Sequence, residues 1–460
     1  MISISLKLSK GMIFVVDNIC AIATPYGTGA ISIIRCSGPD AISLVNNVFK
    51  GKNLTKVKTH TMHYGYIMDG SEAVDEVLCN VFIAPKSFDG ENTVEINCHG
   101  GVYVTNMVLR TLLKNGFRMA ERGEFSKRAF LNHKLDLTQA EAIMDIISAS
   151  NPIALKSSNQ SLRSSTYKLI QTFREKILDV IAKIEVNIDY PEYDDAITVT
   201  NDFLLPIIDE MLVDMNQILK NSAISTIAIH GIKTAIVGKP NVGKSSLLNM
   251  LLDEDKAIVS SIAGTTRDLV EGSLNIGNLT LHLIDTAGIH HSDDYVEAIG
   301  IKRSNKAIEE ADLVLLVLDL SEPLTAEDYY LLNKTKDKKR IIIANKSDMP
   351  SRWTLDEVIY ISAKNKEGLD LLADKISEIT NITSLNFDDG NYLNNNRQVN
   401  LMNKAYNSLL NAKEAINLGI DVDLIEIDIK SAFDALGEIT GESNPEELIT
   451  ALFTKFCLGK

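Results

Sequence analysis

The stretch GKPNVGKSS, residues 238–246, concentrates more chemistry than any other in this chain. It fits G-x-x-x-x-G-K-S from Gly238 to Ser245, between an apolar run, TAIV, and a helix-length segment, SSLLNMLL. Glycines at that spacing let backbone N–H groups turn inward around phosphate oxygens, and a helix starting there adds partial positive charge. Asn241, Val242, Gly243 and Ser246 would line the loop, Lys244 would reach the β- and γ-phosphates, and the Ser245 hydroxyl would hold magnesium. Three further motifs follow in order. Asp285-Thr286-Ala287-Gly288 ends the run LHLI, where a carboxylate can hold magnesium through water and a glycine N–H can meet a γ-phosphate. Asn345-Lys346-Ser347-Asp348 follows RIIIA, and the Asp348 carboxylate can accept two N–H donors of guanine that adenine lacks. Ser362-Ala363-Lys364 follows VIYI and supports the base from the backbone. The set predicts a site for GTP rather than ATP, in the order found in translation-factor-type GTPases.

Between the first two motifs, AGTTRD places Thr265 and Thr266 in a switch loop, where a threonine can complete magnesium coordination when a γ-phosphate is present. Ras-like enzymes place a glutamine directly after the DxxG glycine to orient the attacking water. Here that position is Ile289, so water positioning and an extra positive charge must come from elsewhere. Glu297, Asp293 and Asp294 are the acids in the following segment, and the residues alone do not choose among them.

Each motif needs a strand end to carry it. The apolar runs TAIVG, LHLID, LVLLVLD and RIIIAN, separated by helix-length segments over about 230–383, predict a parallel sheet with helices on both faces. Residues 14–130 read as mixed α/β, with strands in AISIIR, VLCNVFI and NTVEINCHGG and a helix in VTNMVLRTLLKNG stopped by Gly116. From 131 to 229 the period becomes helical: Leu169, Phe173, Ile177, Val180, Ile184 and Ile188 mark one buried face, and Ile208, Met211, Leu212, Met215 and Leu219 another. Between them DYPEYDD breaks the helix at Pro191. Helical texture returns over 384–460, with a last helix capped by Asn444 and Pro445. The expected fold is therefore multidomain, α/β plus all-α. It has an α/β N-terminal domain (1–130), a discontinuous helical domain (131–229 and 384–460) and an inserted Ras-like P-loop domain (230–383) with a mostly parallel sheet.

With 460 residues, 45% hydrophobic and 23% charged, the chain has the balance of a multidomain globular protein. A net charge of −15 argues against a basic DNA-wrapping surface while leaving room for a local basic patch that meets RNA. No apolar run approaches a membrane span, no signal peptide is expected, and Met12, where the ordered pattern begins, is a candidate for the natural start. Five cysteines without a CxxC pair predict neither zinc nor a disulfide framework, which fits a reducing cytoplasm. The terminal FCLGK places a cysteine fourth from the end, but Gly459 and Lys460 depart from a prenylation signal.

The inserted GTPase-type segment, ATPYGTGAISIIRCSGP, VEINCHGG, GEFSKRAFLNHKLDLTQAEAI and the terminal CLGK together resemble the MnmE (TrmE) family of tRNA-modification GTPases, over essentially the whole chain after residue 12. The resemblance implies an N-terminal folate-binding domain that forms a homodimer. It also implies a flavoprotein partner, MnmG (GidA), which alone carries FAD, in a heterotetramer that modifies the wobble uridine of tRNA with an aminomethyl-type group. It assigns potassium to Asn241, Ser260, the Ile262 carbonyl and Thr265, magnesium to Ser245 and Thr266, and water positioning to Glu297. It assigns a tetrahydrofolate derivative of the 5-formyl or methylene type to Arg35, Glu95, Lys134 and Lys460, and sets Cys457 beside the one-carbon donor as a candidate nucleophile. Two departures stand out: Ser260 replaces a common threonine, and PYGTG lacks the basic residue of the common PPGRG. His99, in CHGG, is expected to be a packed structural histidine beside a glycine turn.

Overall fold

The computed structural model describes residues 5–9, 12–189, 201–252, 272–277, 279–284, 305–442, 446–456 and 459, in two compact units, Met1–Met144 with Leu436–Lys460, and Asp145–Ala435. Pro191, Asn444 and Pro445, with the helix break and cap expected there, lie outside the described residues.

The first unit opens with a hairpin of β1 (Ser5–Ser9) and β2 (Met12–Val16), so strand pairing begins before Met12. Its sheet comprises β3 (Ile19–Ile22), β4 (Ile31–Ser37), β5 (Phe49–Gly51), β6 (Thr61–Asp69), β7 (Glu72–Phe82), β8 (Thr93–His99) and β9 (Arg118–Met119). The order is β5-β6-β7-β8-β4-β3-β9, and all pairs are antiparallel except β3 with β9. Strand alternation sends Ile34, Cys36, Val77, Cys79, Val94, Ile96 and Cys98 to one face, where Val108 and Leu112 of the helix Val102–Lys114 cover them. That helix ends where expected, before Gly116 at φ +99. Cys20, Cys36, Cys79 and Cys98 are free and buried, and burial pushes the Cys20 and Cys79 thiols up to about 12. The opposite sheet face leaves Ile31, Met62, Tyr64, Tyr66 and Leu78 exposed.

Below that sheet, Phe130, Leu137, Ile449, Phe453 and Phe456 form a smaller core that ties the helix Glu446–Phe453 to the helices Glu124–Leu131 and Leu137–Ser148. The buried Arg128 links the helix Glu124–Leu131 to the segments that lead into β3 and β8. Its guanidinium donates to Asp17 at 2.6 Å and to Glu91 and Glu124 at 2.9 Å, while Arg118 donates to Asp17 and Glu124 at 2.6 Å.

In the second unit, long helices run over Ser165–Asp189, Asn201–His230 and Asn396–Asn417. Phe173, Ile177, Val180 and Ile184 are buried as the period predicts, but Ile170 takes the core place expected of Leu169, and Ile188 is 41% exposed. On the second face Ile208, Met211, Leu212 and Met215 are buried, and Ile218 is buried where Leu219 is only half-buried. The second sheet comprises β10 (Ile232–Val237), β11 (Ser273–Ile276), β12 (Leu279–Leu283), β13 (Leu313–Asp319), β14 (Arg340–Asn345) and β15 (Val358–Ile361). Its order is β11-β12-β10-β13-β14-β15, parallel throughout except for the β11–β12 hairpin. The chain enters this sheet after His230 and returns at Asn394, and His230 Nε2 lies 2.9 Å from the Asn394 carbonyl oxygen. Asn394 also accepts from Ser157 Oγ at 2.9 Å and donates to Ser161 Oγ at 2.6 Å. Entrance and exit of the insertion are thus clasped to the same helices. Among the described residues, no helix is long and apolar enough to cross a membrane.

Candidate functional site

Parallel strands deliver their carboxyl ends to one rim of the second sheet, the place where such folds bind ligands. After β10 the chain turns through Gly238, Asn241 at φ 65 and Gly243 at φ +97 into the helix Lys244–Leu252. A Cβ on Gly243 would stand 2.1 Å from Asn345 Nδ2, so the position admits no side chain. Val242 is buried beneath the loop, whereas Ser245 and Ser246 are exposed on the first helical turn. Lys244 Nζ donates to the carbonyls of Gly238 and Lys239, both at 2.8 Å, and burial lowers its pKa. The ammonium is thereby held across the loop mouth with only neutral acceptors, the electrostatic condition for attracting an anion.

Asn345 ends β14 and joins two loops. Its Nδ2 donates to the Val242 carbonyl at 2.8 Å, and its Oδ1 accepts from Ala363 N at 3.1 Å. Ser362 Oγ donates to Asp348 Oδ1 at 2.8 Å and accepts from Asn365 N at 3.2 Å. That fixes the carboxylate plane, and Asp348 Oδ2 has no hydrogen-bond partner among the described residues. Lys346, at φ 64, pairs its ammonium with Asp319, and Lys364 is exposed beside the rim. Burial pushes the Asp319 carboxyl up, but the bonds from Lys346 and Ser321 outweigh it and hold it below the usual range. Asp319 was not anticipated. Its signal is an acid ending the otherwise wholly apolar strand LVLLVLD.

Ser260, Ile262, Thr265, Thr266, Asp285, Thr286, Ala287, Gly288 and Glu297 lie outside the described residues, as do Asp293 and Asp294. Of the magnesium pair only Ser245 is described, and of the potassium set only Asn241.

A second constellation sits in the first unit. Cross-strand register places Arg35 opposite Glu95. Arg35 Nε donates to Glu95 Oε1 at 3.0 Å and Nη2 lies 2.9 Å from the same oxygen in an ion pair, leaving Oε2 without a protein partner among the described residues. The guanidinium lies 5.6 Å from the ring centroids of both Phe88 and Phe125, and Nη1 donates to the Gly459 carbonyl at 3.2 Å. Lys134 Nζ donates to Pro85 O at 2.9 Å, on the loop that carries Phe88. Cys457 and Lys460 lie outside the described residues, but their neighbour Gly459 anchors the chain end. At φ +86, its Cβ would meet the Ile22 carbonyl oxygen at 2.5 Å. Gly459→Val should therefore release the tail from Arg35. Limited proteolysis cleaving the variant's last residues no faster than the wild type's would contradict that anchor.

His99 corrects the expectation of a packed histidine. Its side chain is 69% exposed, and Nδ1 meets Asp75 Oδ1 at 2.7 Å. A strand end facing outward, not a core turn, holds it; the hydrogen bond to Asp75 raises its pKa.

Phosphate loop, guanine-type rim and a clasped insertion define the class: a P-loop GTPase whose nucleotide-binding domain is inserted into a helical one. The model of the TrmE N-terminus, described as a GTP-binding protein, matches residues 18–134, and that of the MnmE helical domain matches 137–457. The chain is 52% identical over 446 residues to the tRNA modification GTPase MnmE of Acholeplasma laidlawii, covering 96% of this chain and 99% of that one. It is 49% identical over 454 residues to that of Lactobacillus helveticus, and 50% over 455 residues to that of Ligilactobacillus salivarius, each covering 96% of this chain and 98% of the relative. The chain belongs to the MnmE (TrmE) family of tRNA modification GTPases.

Proposed function

We propose that this chain is a potassium-stimulated GTPase that acts with a flavoprotein partner, MnmG (GidA), to install an aminomethyl-type group on the wobble uridine of tRNA. The observation that carries the nucleotide half is Asn345, one amide clamping the phosphate loop to the base-side loop. Ser245 and Thr266 would hold magnesium, which neutralises phosphate charge. The loop's exposed Asn241, with Ser260, Ile262 and Thr265, would hold potassium, whose charge stands in for an arginine finger. Glu297 would orient the attacking water, the role Ile289 cannot fill. Thr286, Ala287 and Gly288 would follow the γ-phosphate beside Asp285.

For the one-carbon half, the free Oε2 of Glu95 suits the N–H donors of a pterin ring, and the partly exposed Phe88 offers it an aromatic face. Arg35 is already spent on Glu95 and Gly459, so it orients the acceptor, while Lys134 and Lys460 remain to meet the carboxylates of a tetrahydrofolate derivative. The four described cysteines are buried, which leaves thiol chemistry to Cys457. The exposed apolar face of the first sheet supports a homodimer, and a cytoplasmic location follows from the tRNA substrate.

GTP turnover in potassium against sodium buffer tests the first half. A rate at least tenfold higher in potassium is expected, roughly 1.4 kcal/mol of barrier, and equal rates would remove the ion from the mechanism. Glu297→Ala should bind GTP normally and lose about a hundredfold or more in turnover. Mass spectrometry of wobble uridines from a strain lacking this chain tests the second half, and fully modified uridines would refute it.

A further inference from the structure

The chain carries 61 acidic residues, yet residues 41–68 hold Lys50, Lys52, Lys56, Lys58 and two histidines without a single Asp or Glu. The fold turns this bias into a surface. β5 is the outermost strand of its sheet, and a short 3₁₀ turn, Leu54–Lys56, follows it. Phe49 and Leu54 are buried and pin the segment, which leaves all four lysines exposed between and beyond them. Among the described residues no carboxylate pairs with any of the four, whereas the exposed Lys114 pairs with Asp69 at 2.6 Å. His63, beside them, has its pKa lowered by burial and by the charge of Lys52.

Lysines on an edge strand also discourage edge-to-edge pairing of sheets. That role accounts for Lys50. It does not account for Lys56 and Lys58, which lie past the strand, or for the absence of any acid across the whole segment. A compact group of uncompensated ammonium groups on a strongly acidic protein is the footprint of a polyanion contact. We propose that the lysine edge formed by Lys50, Lys52, Lys56 and Lys58 grips the phosphate backbone of RNA, specifically the tRNA of the proposed reaction. This inference rests on tRNA being the substrate. Lysines act there as point charges and position the RNA without reading its sequence.

The test compares the full-length chain with the K50Q/K52Q/K56Q/K58Q variant and its all-arginine counterpart. Binding of an unmodified tRNA transcript is titrated across potassium chloride concentrations. The glutamine variant should bind about tenfold or more weakly at low salt, with a salt slope smaller by roughly 0.7–0.9 per lysine removed. The arginine variant should bind as the wild type does, and GTP turnover without RNA should be the same in all three. Equal affinity and slope in glutamine variant and wild type would overturn the lysine edge while leaving tRNA as substrate intact. A wild type that does not bind tRNA would overturn both. Loss of binding to phosphatidylserine vesicles without any change in tRNA binding would assign the lysines to a membrane surface and equally overturn the inference.

Discussion

Asp348→Asn should weaken GDP and GTP binding by about a hundred- to thousandfold and admit xanthosine nucleotides in their place. Ser362 Oγ donates to Asp348 Oδ1 at 2.8 Å, so the side chain's orientation is fixed from below and survives the substitution. With Oδ1 still accepting from Ser362, the amide nitrogen of the variant stands where Oδ2 stood. It then points N–H groups at the N–H edge of guanine. Two charge-assisted hydrogen bonds, each worth roughly 1.5–3 kcal/mol, are lost and a donor–donor clash replaces them. Xanthine carries a carbonyl at that position and can accept from the amide. The phosphate contacts are untouched, because Asn345 and Lys244 hold the loop through separate bonds. Competition titrations with GDP and XDP would show the exchange. A variant that keeps its GDP affinity and ignores XDP would remove Asp348 from base recognition.

The rim that holds Asp348 was legible because each of its strands is an apolar run closed by a motif. What the sequence concealed lies in register and in long-range pairing. Leu169 and Ile170 both fit an apolar helix face, and only packing decides that Ile170 goes inside. The pairing of Arg35 with Glu95 depends on the β4–β8 register, which composition does not encode. Family resemblance supplied both residues as ligand contacts; the structure adds that the arginine serves the carboxylate and the chain end. His99 misled because its neighbours are glycines, which suggested tight packing, whereas the turn simply ends the strand at the surface.

The GEFSKRAF stretch shows the same limit at larger cost. Its Glu124 and Arg128 look like surface charges, yet Arg128 is 3% exposed and joins Asp17, Glu91 and Glu124, which come from separate parts of the first unit. Arg128→Ala should destabilise that unit by about 3–5 kcal/mol, because it strands buried carboxylates beside Arg118 alone. For a unit of this size the melting temperature should fall by on the order of 10 °C. The loss should also depend on pH in a definite direction. Burial pushes Glu124 up, but Arg118 and Arg128 overcome it and hold the carboxyl at about 2, below its ordinary 4.5. Its stabilisation is therefore complete above pH 4.5 and disappears as pH falls toward 2. Glu91 has the opposite sign: burial raises it and Arg128 offsets part of that rise, so without Arg128 it is raised further and protonation in acid returns more stability to the variant than to the wild type. Both effects narrow the gap between wild type and variant in acid. Urea unfolding at neutral pH and again near pH 3 measures the gap directly. A difference that stays constant between the two conditions would mean that Arg128 acts by packing and not by charge.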